Sequence, residues 1–332
     1  MKKWFILWSA VLILLSLTLG LGLAQEKYPS KPIKVIVTYP PGGGTDLFVR
    51  ALQEKAEQIL GQRLILEYKA GLSGAIALGQ LKDMKPDGYT IAAIINTGIS
   101  HITNLVAVPY DPVRDFSYIN LLVLAPHAMT CSMDAPWNTV AEFVSAARAN
   151  AEGINFCSSG VGSTGHLAMA IFAREAKIKL NHVPMAGGAG ATTALLGGHM
   201  KMGVIANQDE YVRTKRLKLL AYVTQERHKA FPQVPSLKEL GYNVDVKIWY
   251  GFCGPKGMPK EIVEKLDNAF YQASLDVAVA KKLETQLGLV TTHMSGRALQ
   301  DMVAEEVKAN GEAIRSLGLK KAYEQEEAKN KK

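Results

Sequence analysis

Ile33-Lys34-Val35-Ile36-Val37-Thr38-Tyr39-Pro40-Pro41-Gly42-Gly43-Gly44-Thr45-Asp46 is the stretch that decides the fold. Ile33–Thr38 is rich in Ile and Val and reads as a short buried strand. Pro40-Pro41 and the three glycines end it. Phe48, Ala51, Leu52, Lys55 and Ile59 then recur at helical spacing, with Gly61 beyond the last turn. A strand that passes through a glycine turn directly into a helix is the start of a parallel α/β unit. Such a turn lets the backbone approach a ligand closely. The helix start adds unpaired N–H groups and a partial positive charge, so the turn can seat an anion. It is not a phosphate-binding P-loop, because no Lys-Ser or Lys-Thr follows the glycines. Asp46 reads either as a cap of the helix or as an acceptor facing a ligand.

The pattern repeats outward. Arg63–Tyr68 is a second strand, and Gly71-Leu72-Ser73-Gly74 leads into an Ala- and Leu-rich helix that runs to Lys82. Pro86-Asp87-Gly88 is a turn before a third strand, Tyr89–Ile95. This alternation predicts a mostly parallel sheet with helices on both faces. After an irregular stretch, Ser100–Tyr118, a second such unit follows. Its strands are Ala128–Ser132, Ile154–Cys157, Leu180–Val183 and Met202–Ile205, with helices between them. Leu219–Thr224 and Phe231–Gly241 resist placement. Trp249–Cys253 reads as a returning strand, followed by helices from Pro259 to Ser274 and over Ala298–Leu317. The expected fold is α/β with two lobes, residues 25–123 and 254–320 in the first and 124–253 in the second. With no long linker, two or more strands must cross between the lobes and leave a cleft.

The N-terminus reads as an address. Lys2 and Lys3 precede an apolar stretch from Trp4 to about Leu23, and Gly22-Leu23-Ala24 offers small residues for cleavage. A signal peptide over 1–24, cut near Ala24, and a periplasmic location are expected. The alternative is an uncleaved anchor, since about 20 apolar residues span a bilayer. The remaining chain of about 300 residues exceeds the usual single-core size. The full chain's formal charge of +8 falls to +6 without Lys2 and Lys3. That excess is dispersed; it favours acidic solutes and forms no nucleic-acid stripe. A polar tail covers 321–332. Cys131, Cys157 and Cys253 lack metal or redox spacing and read as buried thiols, with one disulfide left open. No cofactor and no metal site is expected; His101, His166 and His182 read as structural or pocket-lining.

Other glycine turns test enzymatic readings. Gly160-Val161-Gly162-Ser163-Thr164-Gly165 matches G-x-G-x-x-G between a strand and a helix. The acidic partner of a dinucleotide site would fall near Pro184–Met185 and is missing. What survives is a second set of N–H groups, with the Ser163 and Thr164 hydroxyls, aimed at an anion. Gly71-Leu72-Ser73-Gly74-Ala75 narrowly misses a nucleophile elbow, and no ordered His and acid accompany it. Trp249 and Tyr250 read as core aromatics or as a pocket wall near the hinge.

Taken in order, the motifs resemble the periplasmic receptors of tripartite tricarboxylate transporters, the Bug family. The marks are Tyr28-Pro29-Ser30-Lys31-Pro32-Ile33, Pro40–Asp46, Gly61-Gln62, Pro86–Thr90, Tyr110–Phe116, Ser158–Leu167, His182-Val183-Pro184, Pro232–Leu237 and Trp249-Tyr250-Gly251. The resemblance implies a type II periplasmic binding fold and a receptor, not an enzyme, that closes its lobes on a small carboxylate. It implies that Tyr39, Gly42, Gly43 and Asp46 line the ligand from the first lobe. Ser159, Ser163, Thr164 and His166 would do so from the second, with Thr97 and Asn207 as further contacts. The partners implied are the ligand and membrane permease subunits, with the receptor itself a monomer. A sensor feeding a signalling kinase, or an exported serine hydrolase using Ser73 or Ser163, are the competing readings. The chain departs from the family pattern at Met185, Asn207 and Leu105, which bears on the side of the pocket away from the carboxylate.

Overall fold

The structure, a computed structural model, describes residues 28–206, 208–244, 246, 248–321 and 323–324. The signal-peptide expectation, Asn207 and most of the polar tail lie outside the described residues.

The first lobe opens with β1 (Ile33–Val37), α1 (Gly44–Leu60), β2 (Leu64–Tyr68), α2 (Ala75–Leu81) and β3 (Thr90–Ile95). A wide helical turn at Thr97–His101 leads to the short α3 (Ile102–Leu105), and β4 (Phe116–Ala125) completes the passage. The second lobe holds β5 (Ala128–Ser132), α4 (Val140–Ala149), β6 (Ile154–Ser158), α5 (Thr164–Ala176) and β7 (Leu180–Pro184). It continues with α6 (Gly187–Leu196), β8 (Met202–Ile205), α7 (Asp209–Arg213) and β9 (Leu217–Tyr222). The chain returns through β10 (Ile248–Pro255), α8 (Lys260–Leu275), α9 (Val277–Lys281), β11 (Val290–Ser295) and α10 (Gly296–Ser316).

The strands form two sheets, ordered β11-β4-β10-β3-β1-β2 and β7-β6-β8-β5-β9. In the first, β1 pairs in parallel with β2 and β3, whereas β10 inserts antiparallel between β3 and β4. In the second, β6 pairs in parallel with β7 and β8, and β5 runs against β8 and β9. Each sheet is therefore a parallel half joined to a crossing strand. The inner parallel strands β1 and β3 are buried over most of their length, which is why they read as near-continuous apolar runs, whereas the edge strands β2 and β7 are only partly covered.

α1 shows how the local sequence sets an element. Its apolar stripe buries Phe48 and Leu52 fully, each contributing on the order of 1.5–3 kcal/mol. Gly61 ends it in the left-handed conformation, and its N–H donates to the Glu57 carbonyl.

The lobes are joined at two crossings. Ala125 ends β4 in the first sheet, and Ala128 begins β5 in the second, so Pro126 and His127 alone make the outward crossing. The return passes beside it: the Val223 N–H donates to the His127 carbonyl at 2.9 Å, and the Val246 N–H donates to the Val223 carbonyl at 3.4 Å. β10 then pairs with β3 and β4 from Ile248 onward. Residues 248–253, expected in the second lobe, thus stand in the first sheet. The ladder hydrogen bonds to two first-lobe strands fix them there. All three cysteines are free and buried. No helix among the described residues is long and apolar enough to cross a membrane.

Candidate functional site

Three strand-to-helix turns meet where the lobes face each other. They follow β1, β6 and β7, at the carboxyl ends of parallel strands, where open α/β sheets bind ligands. Between them lies a cavity of about 190 Å³. Gly44 and Thr45 bring the start of α1 to it, Thr164 the start of α5, and Gly187, Gly188 and Ala189 the start of α6. Three helix N-termini thus converge on one space, each with N–H groups that lack intrahelical partners. Among the described lining residues none is Asp, Glu, Lys or Arg. An anion seated here would be held by aligned neutral dipoles.

Of the residues expected at the site, Tyr39, Gly42, Gly43, Thr97, Ser159 and Thr164 are brought together around the cavity. Tyr39 Oη and Thr97 Oγ1 share a hydrogen bond of 2.8 Å, which fixes the first-lobe wall. The Thr164 hydroxyl is buried with no hydrogen-bond partner in the protein. A buried hydroxyl left unpaired is costly, so it is poised for a ligand or a water.

Asp46, Ser163 and His166 stand behind the cavity. Asp46 is only 3% exposed. Its carboxylate accepts from the Gly42 N–H at 2.8 Å, from Arg50 Nε at 2.8 Å and from the Tyr68 hydroxyl at 2.7 Å. Those bonds hold the turn, in which Gly42 takes a φ of 78° that favours glycine. Asp46 braces the loop from within α1 and does not face the cleft. Ser163 caps α5, accepting from the His166 N–H at 3.3 Å, and its hydroxyl pairs with Ser158 Oγ at 2.8 Å. His166 Nδ1 accepts from the Gly162 N–H at 3.2 Å, and its ring stacks on His182 at 4.0 Å. Burial pushes His166 down to about 4 and His182 to about 2, so both rings are neutral packing groups. Asn207 lies outside the described residues.

The hydrolase reading has no geometry to support it. The Ser73 hydroxyl donates to the Val161 carbonyl at 2.9 Å instead of meeting a histidine. Ser158 does bond His182 Nε2 at 2.8 Å, but Ser158 is fully buried and does not line the cavity. The G-x-G-x-x-G letters also find their cause in packing. A Cβ on Gly165 would come within 2.5 Å of the Val204 carbonyl, so the third glycine permits close helix-on-strand contact.

Sequence reasoning missed several lining groups. Gly187 and Gly188 at the start of α6 and Thr192 farther along it line the cavity, as do His127 in the outward crossing and Tyr211 in α7. The Ala186–Ala189 composition carried a signal, since it is another glycine turn after a strand. Tyr250 lines the wall, whereas Trp249 points to the opposite face, where Nε1 donates to Glu306 Oε2 at 2.8 Å. Strand alternation separates the two.

Comparison with known proteins agrees with this architecture. A protein of Cupriavidus necator, the UPF0065 protein in gbd 5'region, is 32% identical over 313 residues, covering 92% of this chain and 95% of that protein. The structure of the periplasmic binding protein BugD superposes with a TM-score of 0.82 at 28% identity, over 88% of this chain and 99% of that one. MatC from Rhodopseudomonas palustris with bound malate gives a TM-score of 0.80 at 26% identity, over 86% of this chain and 100% of that one. The family model described as the tripartite tricarboxylate transporter family receptor matches residues 48–319. With its two-lobed periplasmic binding fold and a ligand-sized cavity at the lobe junction, this chain belongs to that family of solute-binding receptors.

Proposed function

We propose that this chain captures the carboxylate of a small solute between its lobes, in the periplasm, and presents it to the membrane subunits of a tripartite transporter. The observation that carries the reading is the convergence of three helix N-termini and the unpaired Thr164 hydroxyl on one cavity with no Asp, Glu, Lys or Arg among its described lining residues. Such a site suits a compact anion that needs several donors at once. A relative 26% identical over nearly its whole length holds malate, which supports a carboxylate here. Contacts from both lobes exist only when the lobes are together, so a ligand would shift the population toward the closed form. We further propose that the mature chain begins after Ala24, acts as a monomer, and docks on permease subunits in its loaded state.

Calorimetry with a panel of small carboxylates tests the reading. Thr164→Val keeps the shape of the side chain and removes its donor. A hydrogen bond to a charged acceptor contributes about 1.5–3 kcal/mol, so affinity should fall at least about tenfold with no loss of fold by circular dichroism. Unchanged affinity would remove the carboxylate from this cradle.

A further inference from the structure

The end of the cavity at the lobe crossing differs chemically from the glycine turns. His127 occupies that crossing, lines the cavity and is 5% exposed. Strand register sets the surroundings of the crossing: Ile205 pairs with Ala128 and Ile248 with Ala125, the strand residues on either side of Pro126-His127, and both isoleucines line the same cavity as His127. His127 Nδ1 lies 3.3 Å from the Ala125 carbonyl oxygen. A carbonyl only accepts, so the proton of this bond sits on Nδ1. Burial pushes the ring's pKa down to about 3, which keeps the imidazole neutral in any periplasm. Nε2 therefore carries a lone pair and acts only as an acceptor.

We propose that the ligand bears a single carboxylate, held at the glycine turns, and an uncharged hydrogen-bond donor such as a hydroxyl at its other end, which His127 accepts. This rests on the carboxylate reading of the site. A second carboxylate at the His127 end would face a lone pair and the aliphatic groups of Ile205 and Ile248. No cation among the described lining residues would compensate for the water it loses. A hydroxyl there loses water too, but it gains the Nε2 acceptor. His127 thus acts as a specificity determinant, favouring a hydroxy acid over the diacid of the same length.

The test is calorimetry on the full exported chain, dialysed free of small molecules, with acids matched in chain length. 4-Hydroxybutanoate is set against succinate and butanoate, and the comparison is repeated with longer homologues. The hydroxy acid should bind at least about tenfold more tightly than either competitor at the best-fitting length. His127→Phe should abolish its advantage over the unsubstituted acid while that acid still binds. If this variant does not fold, the wild-type comparison decides alone. A diacid that binds as tightly as the hydroxy acid would overturn the proposal and leave carboxylate capture standing. A hydroxy acid no better than the plain acid would overturn the role of His127. If no acid of any series saturates, carboxylate capture falls with it.

Discussion

Gly188 is the residue on which the anion seat can be tested most cleanly. It is the second residue of α6, lines the cavity, and a Cβ there would meet nothing within 4 Å. An acidic side chain in the first turn of a helix is favourable by about 0.3–1 kcal/mol. Gly188→Asp should therefore hold or raise the melting temperature while placing a negative charge where the ligand carboxylate belongs. Two like charges within a few ångströms in a partly dry site should weaken carboxylate binding by about a hundredfold or more. A variant that binds as the wild type does would show that the carboxylate does not sit at the start of α6. At this scale the sequence was readable where backbone does the work. Gly42, Gly43 and Thr164 follow strands and open helices, and position alone announces them. It was less readable where a side chain can face either way. Asp46 and Ser163 occupy the right turns but bond inward to Arg50, Tyr68 and Ser158. Nothing in letter order distinguishes those choices, and His127 emerged only once the crossing at Pro126-His127 was located.

The turn at Leu72–Gly74 works between elements. Leu72 and Ser73 both take left-handed backbone angles, with φ of 47° and 52°, at a cost that side chains normally avoid. In return the Ser73 hydroxyl reaches across the cleft to the Val161 carbonyl. The next residue, Gly162, fits against the first lobe closely enough that a Cβ would lie 2.7 Å from Leu105 Cδ1. Here the two lobes latch beside the cavity. Ser73→Gly keeps the left-handed turn without steric strain and deletes the latch. A net hydrogen bond contributes about 1 kcal/mol, so ligand affinity should fall roughly fivefold while the melting temperature holds. Affinity that does not move would mean the contact is made in the open form as well. Elements themselves were legible in proportion to their punctuation. β1, β5 and β8 stand between turn signals and fall where periodicity places them. β4 was hidden because Phe116–Ala125 continues through Pro126-His127 into β5 with scarcely a break. β11, an edge strand with the polar run Thr291-Thr292-His293, lacks the apolar pattern of a buried strand.

The seam between the lobes also carries a buried carboxyl away from the cavity. Asp209 begins α7 in the second lobe and is 2% exposed. It packs on Gly288 of the first lobe, where a Cβ would come within 2.6 Å of its Cγ. Its Oδ2 has no hydrogen-bond partner, and His228 Nδ1 stands 4.0 Å off. Burial, offset in part by Arg213, pushes the carboxyl up to about 6, against an ordinary value near 4. The sign follows directly. Below about pH 4 the group is protonated whether the chain is folded or not. Between about 4 and 6 the folded chain keeps a proton that the unfolded chain has lost, so stability falls as pH rises through that window. Above it the full cost, on the order of 3 kcal/mol, persists. His228, which burial pushes down, contributes the opposite slope as it charges in acid, so the comparison of Asp209→Asn with wild type is repeated with His228→Phe in both chains. The stability of the variant relative to wild type should therefore grow from pH 4 to pH 7, read from denaturant unfolding at each pH. A difference that stays constant over that range would mean the carboxylate is solvated, and that α7 and the Gly288 loop do not seal the seam as the closed lobes require.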